Sequence, residues 1–269
     1  MTEPVIALGA SDVLLLLGLM AAAMAVSALL RLGLARELAI GTARSVVQLS
    51  AVGFAIGWVF EQRTWYWVLL LLAGMALVAG YTGARRTRLN LPGLAWLFTA
   101  VLVAVSAFVL LYVTQVVLGL REWNPRYLIP LGGMLLGNAM NSSTLAVERL
   151  VAELHRNAGD VEVLLALGAS PGQAVQRYRH AAISAAVAPS LNGLLTVGIV
   201  TLPGMMTGQM LGGSPPLQAA LYQLLILFGI TVCALFGAIL AVYAVAPRFF
   251  SAAWQLERAT LRSAQGPAR

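Results

Sequence analysis

Lysine is missing from this 269-residue chain, and charge of either sign is scarce: Asp, Glu, Lys and Arg make up 10% of positions against 60% hydrophobic residues. A water-soluble domain of this length carries roughly a quarter of its residues as charges. The shortage therefore excludes one and makes lipid the solvent for most of the chain, in agreement with a mean hydropathy of +0.85. Cys233 is the single cysteine and sits inside an apolar run, which rules out an internal disulfide or a two-cysteine redox motif and leaves it as a small core residue. The 17 basic residues are all Arg and lie scattered between apolar stretches, so the net charge of +7 is not the footprint of a nucleic-acid binder. The N-terminus lacks a basic region and a small-residue cleavage site, and its first apolar stretch is expected to stay in the membrane.

What is present is long hydrophobic runs. They cover approximately 12–34, 39–60, 64–84, 95–119, 127–147, 181–212 and 217–246, each near or above the ~20 residues that cross a bilayer as a helix. The expected fold is an all-α membrane protein of about seven transmembrane helices in one domain over 1–269. No room is left for a nucleotide-hydrolysing domain, and no catalytic residue or cofactor is expected. The fifth run starts polar at Arg126, carries Asn138 and Asn141, and is expected to extend past the membrane through Glu148, Arg149, Glu153 and Arg156.

Arginine distribution supports this count. Arg31, Arg36, Arg44, Arg85, Arg86, Arg88, Arg149, Arg156, Arg177, Arg179, Arg248, Arg258, Arg262 and Arg269 fall on one side; only Arg63, Arg121 and Arg126 fall on the other. Arg concentrates on the cytoplasmic side of membrane proteins, so the N-terminus is expected outside and the C-terminus inside. Trp58, Trp65, Trp67, Trp123 and Tyr127 cluster at the expected outer boundaries, where amphipathic rings favour the headgroup layer. The basic tail 247–269, with Trp254, is expected to lie along an anionic leaflet.

The longest cytoplasmic connection, an elbow over about 157–175, has legible punctuation. Asp160 is placed to cap a short helix with Val161, Leu164, Leu165 and Leu167 on one face. Gly168 can end it in a left-handed conformation. Ser170-Pro171-Gly172-Gln173 has the form of a capping box with Pro at the first helical position, opening a helix that carries Arg177, Tyr178 and Arg179. Such a helix either lies flat on the leaflet or offers its apolar face to the groove of a cytoplasmic partner.

The run from Leu164 to Ala174 looks like the coupling helix of ABC permeases. Pro130-Leu-Gly-Gly-Met-Leu-Leu-Gly-Asn-Ala-Met140 and Thr196-Val-Gly-Ile-Val-Thr-Leu-Pro-Gly-Met-Met-Thr-Gly208 resemble the FetB-type iron-export permeases, a family also similar to plant aluminium-tolerance permeases. Arg44-Ser-Val-Val-Gln-Leu49 fits the same family. The resemblance implies a multi-pass permease subunit of the bacterial inner membrane that is not itself an enzyme, exporting a metal ion, iron, with energy from a separate cytoplasmic ABC ATPase, and forming a homodimer of permeases. It implies partner contact by Val161, Leu164, Leu165, Leu167, Gly168, Ala169, Ser170, Pro171 and Gln173. Alternatives are an ATPase-linked anchor or signalling subunit, or a permease for another small solute. A secondary carrier would show paired repeats and buried ionisable residues, and neither is visible.

Candidate path residues follow from chemistry. Gln48, Asn138, Asn141, Asn192 and Gln209 are amides within apolar runs and need a partner or a wet cavity. Pro189, Gly193, Gly198, Pro203, Gly204, Gly208, Gly212 and Gly213 crowd the sixth run, which is expected to break; Gly204, Gly208 and Gly212 form a stripe suited to close helix contact. Met134, Met140, Met205, Met206 and Met210 are soft, adaptable side chains. The candidate path residues are Gln48, Asn138, Met140, Asn141, Asn192, Met205, Met206 and Gln209, and the path is placed between the fifth and sixth runs. Metal ligands are not assignable: His155 and His180 both lie at the cytoplasmic edge, and no acid sits deep in a run.

Overall fold

The computed structural model of the chain describes residues 9–62, 64–89, 91–120, 124–258 and 261. Expectations placed on Arg63, Arg121, Trp123, Arg262 and Arg269 lie outside them. Among the described residues the regular elements are all helices, with two isolated β-bridges. They divide into two compact units, Met1–Thr64 with Leu211–Ser214, and Trp65–Met210 with Pro215–Arg269.

The first unit is a helical hairpin of α1 (Ala10–Leu29) and α2 (Ala35–Gln62). Asp12 opens α1 by accepting from the Gly9 amide at 2.8 Å, and the turn reverses through the left-handed Arg31 and Gly33. Both helices leave most side chains exposed, and Ser27 and Val59 are buried. A helix apolar all round is built for lipid rather than for one packed face.

The second unit contains α3 (Trp65–Arg86), α4 (Leu94–Leu111) continuing as a π-helical turn to Val117, α5 (Pro125–Arg156), α6 (Ala158–Ala166), α7 (Pro171–Ala174), α8 (Gln176–Thr196), α9 (Gly204–Leu211) up to Met210, and α10 (Pro216–Val245), closed by a 3-10 turn at Ala246–Phe249. Helix α5 is its axis, packing against α3, α4, α8 and α10. Lipid tails are as apolar as leucine, so membrane helices adhere through close approach rather than through water exclusion. Two glycines allow this approach. A Cβ on Gly237 of α10 would stand 2.9 Å from Ser143 Oγ and 3.3 Å from the Ala139 carbonyl oxygen of α5, and one on Gly80 of α3 would run into Thr99 of α4.

Five helices among the described residues are long and apolar enough to cross a membrane: Ser11–Leu29, Ala35–Gln62, Trp65–Arg86, Leu94–Val117 and Pro216–Phe249. They match the first four and the seventh of the runs read from the sequence. Helix α5 has 32 residues, about 48 Å at 1.5 Å per residue, but Asn138, Asn141, Ser142, Ser143 and Thr144 lower its hydropathy. Protein, not lipid, surrounds most of it. The sixth run is divided, as its glycines and prolines suggested: α8 stops at Thr196 and α9 starts at Gly204. Between them Gly198, at φ +81°, donates to the Thr201 carbonyl at 2.9 Å. Pro189 stays inside α8. The stripe expected to pack closely does not do so at Gly204 or Gly208, where an added Cβ would meet open space.

Candidate functional site

The elbow is built largely by its caps. Helix α6 begins at Ala158 with Asn157 in the N-cap position, so Asp160 is not the cap; it lies in the first turn, where a carboxylate complements the helix dipole. At the other end Gly168 adopts φ +92°, its amide donating to Leu165 and that of Ala169 to Leu164, both at 3.0 Å. This is a Schellman closure, which satisfies carbonyls that the helix leaves open. The capping box forms as read: Ser170 N donates to Gln173 Oε1 at 2.9 Å, and Gln173 N to Ser170 Oγ at 3.4 Å. Helix α7 is only one turn, however, and the chain bends at Val175 before α8.

The apolar residues of α6 do not share a face. Val161 is 0% exposed, inside this chain's own core, and Leu165 packs beside it, whereas Leu164 and Leu167 face outward, Leu167 at 79% exposure. Val163, which sequence reasoning passed over, is exposed with them. Helical geometry accounts for the division, since at about 100° per residue Val161 and Leu165 fall within 40° of each other and Val163, Leu164 and Leu167 within about 100° on the opposite side. Ala169, Ser170 and Pro171 are half-buried and Gln173 is exposed.

Three contacts fasten the elbow. Arg179 Nη2 donates to the Gly172 carbonyl, and its guanidinium stacks over the Tyr243 ring of α10. Val161, Val175 and Tyr178 enter a buried cluster with Leu150 and Leu154 of α5, Val245 of α10, and Phe249, Leu256 and Leu261 of the tail. Glu162 accepts from Arg258 Nε at 2.6 Å and Nη2 at 2.5 Å. These bonds hold the Glu162 carboxyl below the usual carboxylate range. The described part of the tail folds back as a tight hairpin, with Glu257 N donating to the Phe249 carbonyl at 2.8 Å and Ser251 N to that of Gln255 at 2.9 Å.

The candidate path residues are more dispersed. Gln48 is exposed on α2 of the first unit, and Asn192 is exposed on α8. On α5, Asn138 spends its Nδ2 on the Met134 carbonyl of its own helix at 2.8 Å, and Asn141 accepts from Arg86 Nη1 of α3 at 3.2 Å. Met140, Met205, Met206 and Gln209 are half-buried. Gln209 Oε1 is buried with no hydrogen-bond partner among the described residues, as are Ser143 Oγ, Thr144 Oγ1 and Gln223 Oε1. Of the last three, none of which sequence reasoning singled out, Gln223 carries the same amide-in-an-apolar-run signal that flagged Gln48 and Asn192. No three His, Cys, Asp or Glu residues gather among the described residues to hold a metal. A cleft of about 390 Å³ opens along α1 and α2, lined by Met20, Leu38, Gly41, Thr42 and Ser45 among others; it contains none of the candidate path residues.

Long apolar helices in both units, with no strand among the described residues, define a multi-pass α-helical membrane protein. The chain belongs to the family described as "Uncharacterised protein family (UPF0014)", whose model matches residues 10–250. It is 39% identical to "UPF0014 membrane protein slr1647" of Synechocystis, covering 95% of this chain and 99% of the relative. It is 34% identical to "Protein ALUMINUM SENSITIVE 3" of Arabidopsis thaliana, over 84% and 82%, and 28% identical to "Probable iron export permease protein FetB" of Escherichia coli, over 84% and 86%. No solved structure matches it.

Proposed function

We propose that this chain is the membrane-spanning permease subunit of an ABC transporter that exports a metal ion, iron by its likeness to the FetB relative, with ATP hydrolysed by a separate cytoplasmic subunit. The observation that carries the reading is the elbow. An exposed apolar patch of Val163, Leu164 and Leu167 stands on a helix that is buried on its other side and closed by caps at its end. A leaflet helix needs no such foundation. A surface that receives mechanical work does, because displacement of a floppy loop would not reach the bundle.

In this reading the chain has seven spans, with α5 and the divided α8–α9 stretch joining the five long apolar helices. Its N-terminus is outside, its C-terminus inside, and two copies assemble in the bacterial inner membrane with two ATPase subunits. The positive-inside asymmetry supports the orientation. The substrate passes between α5 and the α8–α9 stretch along Asn138, Met140, Asn141, Asn192, Met205, Met206 and Gln209. Amides and thioethers bind a metal ion weakly, which suits passage rather than storage.

Two experiments test this. Affinity-tagged chain is purified with an ATPase that hydrolyses ATP faster in its company, and inverted vesicles holding both accumulate iron on ATP addition. Purification without any ATPase, or hydrolysis with no metal movement for any transition metal offered, overturns it. Cysteines at 64 and 214 react with an external impermeant label while one at 90, outside the described residues, does not; the reverse pattern inverts the topology.

A further inference from the structure

We propose that the C-terminal hairpin is a latch that sets the rotation of α6, making Arg258 and Glu162 positioning residues for the docking of a cytoplasmic ATPase subunit on Val163, Leu164 and Leu167. The two residues are 96 positions apart, so their pairing is a tertiary decision. Both nitrogens of one guanidinium edge meet both oxygens of one carboxylate, at 2.6 and 2.5 Å, the planar fork geometry that carries directional information as well as attraction.

The pair is not what holds the tail down. Both side chains are nearly half exposed, and surface ion pairs are screened and weak. Adhesion comes from Leu256 and Leu261, which flank Arg258 and are buried with Val161, Val175 and Tyr178, Leu261 at 1% exposure. The hairpin is also fixed at its root, where Phe249 is buried and Arg248 Nη1 donates to the Pro92 carbonyl in the α3–α4 loop at 3.1 Å. A tail so anchored presents Arg258 at a defined place.

What the pair adds is register. Glu162 lies between Val161, which faces the core, and Val163, which faces out. Tethering the residue between them resists rotation of α6 about its axis, and rotation is the motion that would exchange the buried and exposed apolar sets. The latch itself follows from the tail and elbow alone; its consequence for a docking partner rests on the coupling reading above.

The test uses the full chain in lipid nanodiscs, followed by amide hydrogen exchange of residues 158–168. Arg258→Glu should raise exchange there by roughly threefold or more, and the reversed pair Arg258→Glu with Glu162→Arg should restore protection. Unchanged exchange in Arg258→Glu, or a rise that the reversed pair fails to repair, overturns the latch. Stimulation of a co-purifying ATPase is measured on the same variants. If exchange responds and is repaired while hydrolysis stays level, the latch stands and the docking reading fails; loss and recovery of both together supports both.

Discussion

The guanidinium of Arg179, three residues into α8, lies 4.5 Å from the centre of the Tyr243 ring near the end of α10. The same side chain donates to the Gly172 carbonyl in the elbow. One residue thus ties the elbow to a long apolar helix, and in the proposed transporter it is a strut along which displacement of α7 reaches α10.

Removing that strut should uncouple more than it unfolds. Cation–π contacts contribute about 0.5–1 kcal/mol at exposed sites and ~2 kcal/mol when desolvated, so Arg179→Gln should lower the melting midpoint only modestly while reducing transport per ATP. Tyr243→Phe, which keeps the ring, should behave as the parent, and Tyr243→Leu should match Arg179→Gln. A double-mutant cycle with no coupling energy between the two positions would remove the strut from the account.

Gly237 should tolerate nothing large. A side chain there enters the contact with Ser143 and Ala139 of α5, and overpacking a tight interface costs about 1–3 kcal/mol. Gly237→Val should therefore lower thermal stability in detergent, with Gly237→Ala in between. Gly208→Ala, at a glycine with open space beside it, should leave the melting curve unchanged.

On the elbow, Leu167→Asp and Gly168→Val should fail for different reasons. Leu167 is exposed, so the aspartate costs no stability in the isolated chain but would be buried unpaired under a docked partner. Gly168 holds φ +92°, where a β-branched residue is strained, so valine should loosen the turn itself. Both should abolish ATPase stimulation, and only Gly168→Val should lower the melting midpoint; full stimulation by both would return α6 to a surface helix.

For the substrate path, Asn138→Leu and Met206→Ala should reduce metal resistance in cells at normal protein level, with ATPase binding retained. Asn138 already hydrogen-bonds within its own helix, so leucine there leaves no orphaned partner other than a carbonyl that α5 itself satisfies. A loss of transport would then report on passage rather than on folding. Unchanged resistance in both variants places the path elsewhere.

The Glu162–Arg258 pair should be indifferent to pH until the solution is acid. The Glu162 carboxyl titrates below its ordinary value of 4.5, chiefly because Arg258 hydrogen-bonds the charged form. A lowered carboxylate contributes its stabilisation above the ordinary value and loses it as pH falls through the depressed one. Spin labels at positions 163 and 253 should keep one narrow distance from about pH 8 to about pH 5 and broaden only below the ordinary value. Broadening near neutrality would mean that another group sets the register of α6.

The apolar run lengths alone determined that this is a helical membrane protein, because the span a bilayer demands is a property of consecutive residues. Local punctuation was equally legible. The capping box at Ser170, the left-handed end at Gly168 and the interruption near Pro203 each depend on a few neighbouring residues whose backbone preferences need no distant partner. Everything set by contact between remote parts of the chain had to wait for the fold. Val161 and Leu167 look alike in sequence, and only the cluster formed by α5, α8, α10 and the tail decides that one is core and the other surface. That Arg86 of α3 stands beside Asn141, that Leu256 and Leu261 find a hydrophobic seat in the chain's own core, and that Arg258 meets Glu162 could not be read from the sequence. A side chain's type limits what it can bind, but which partner it meets is fixed by packing between elements far apart in the chain.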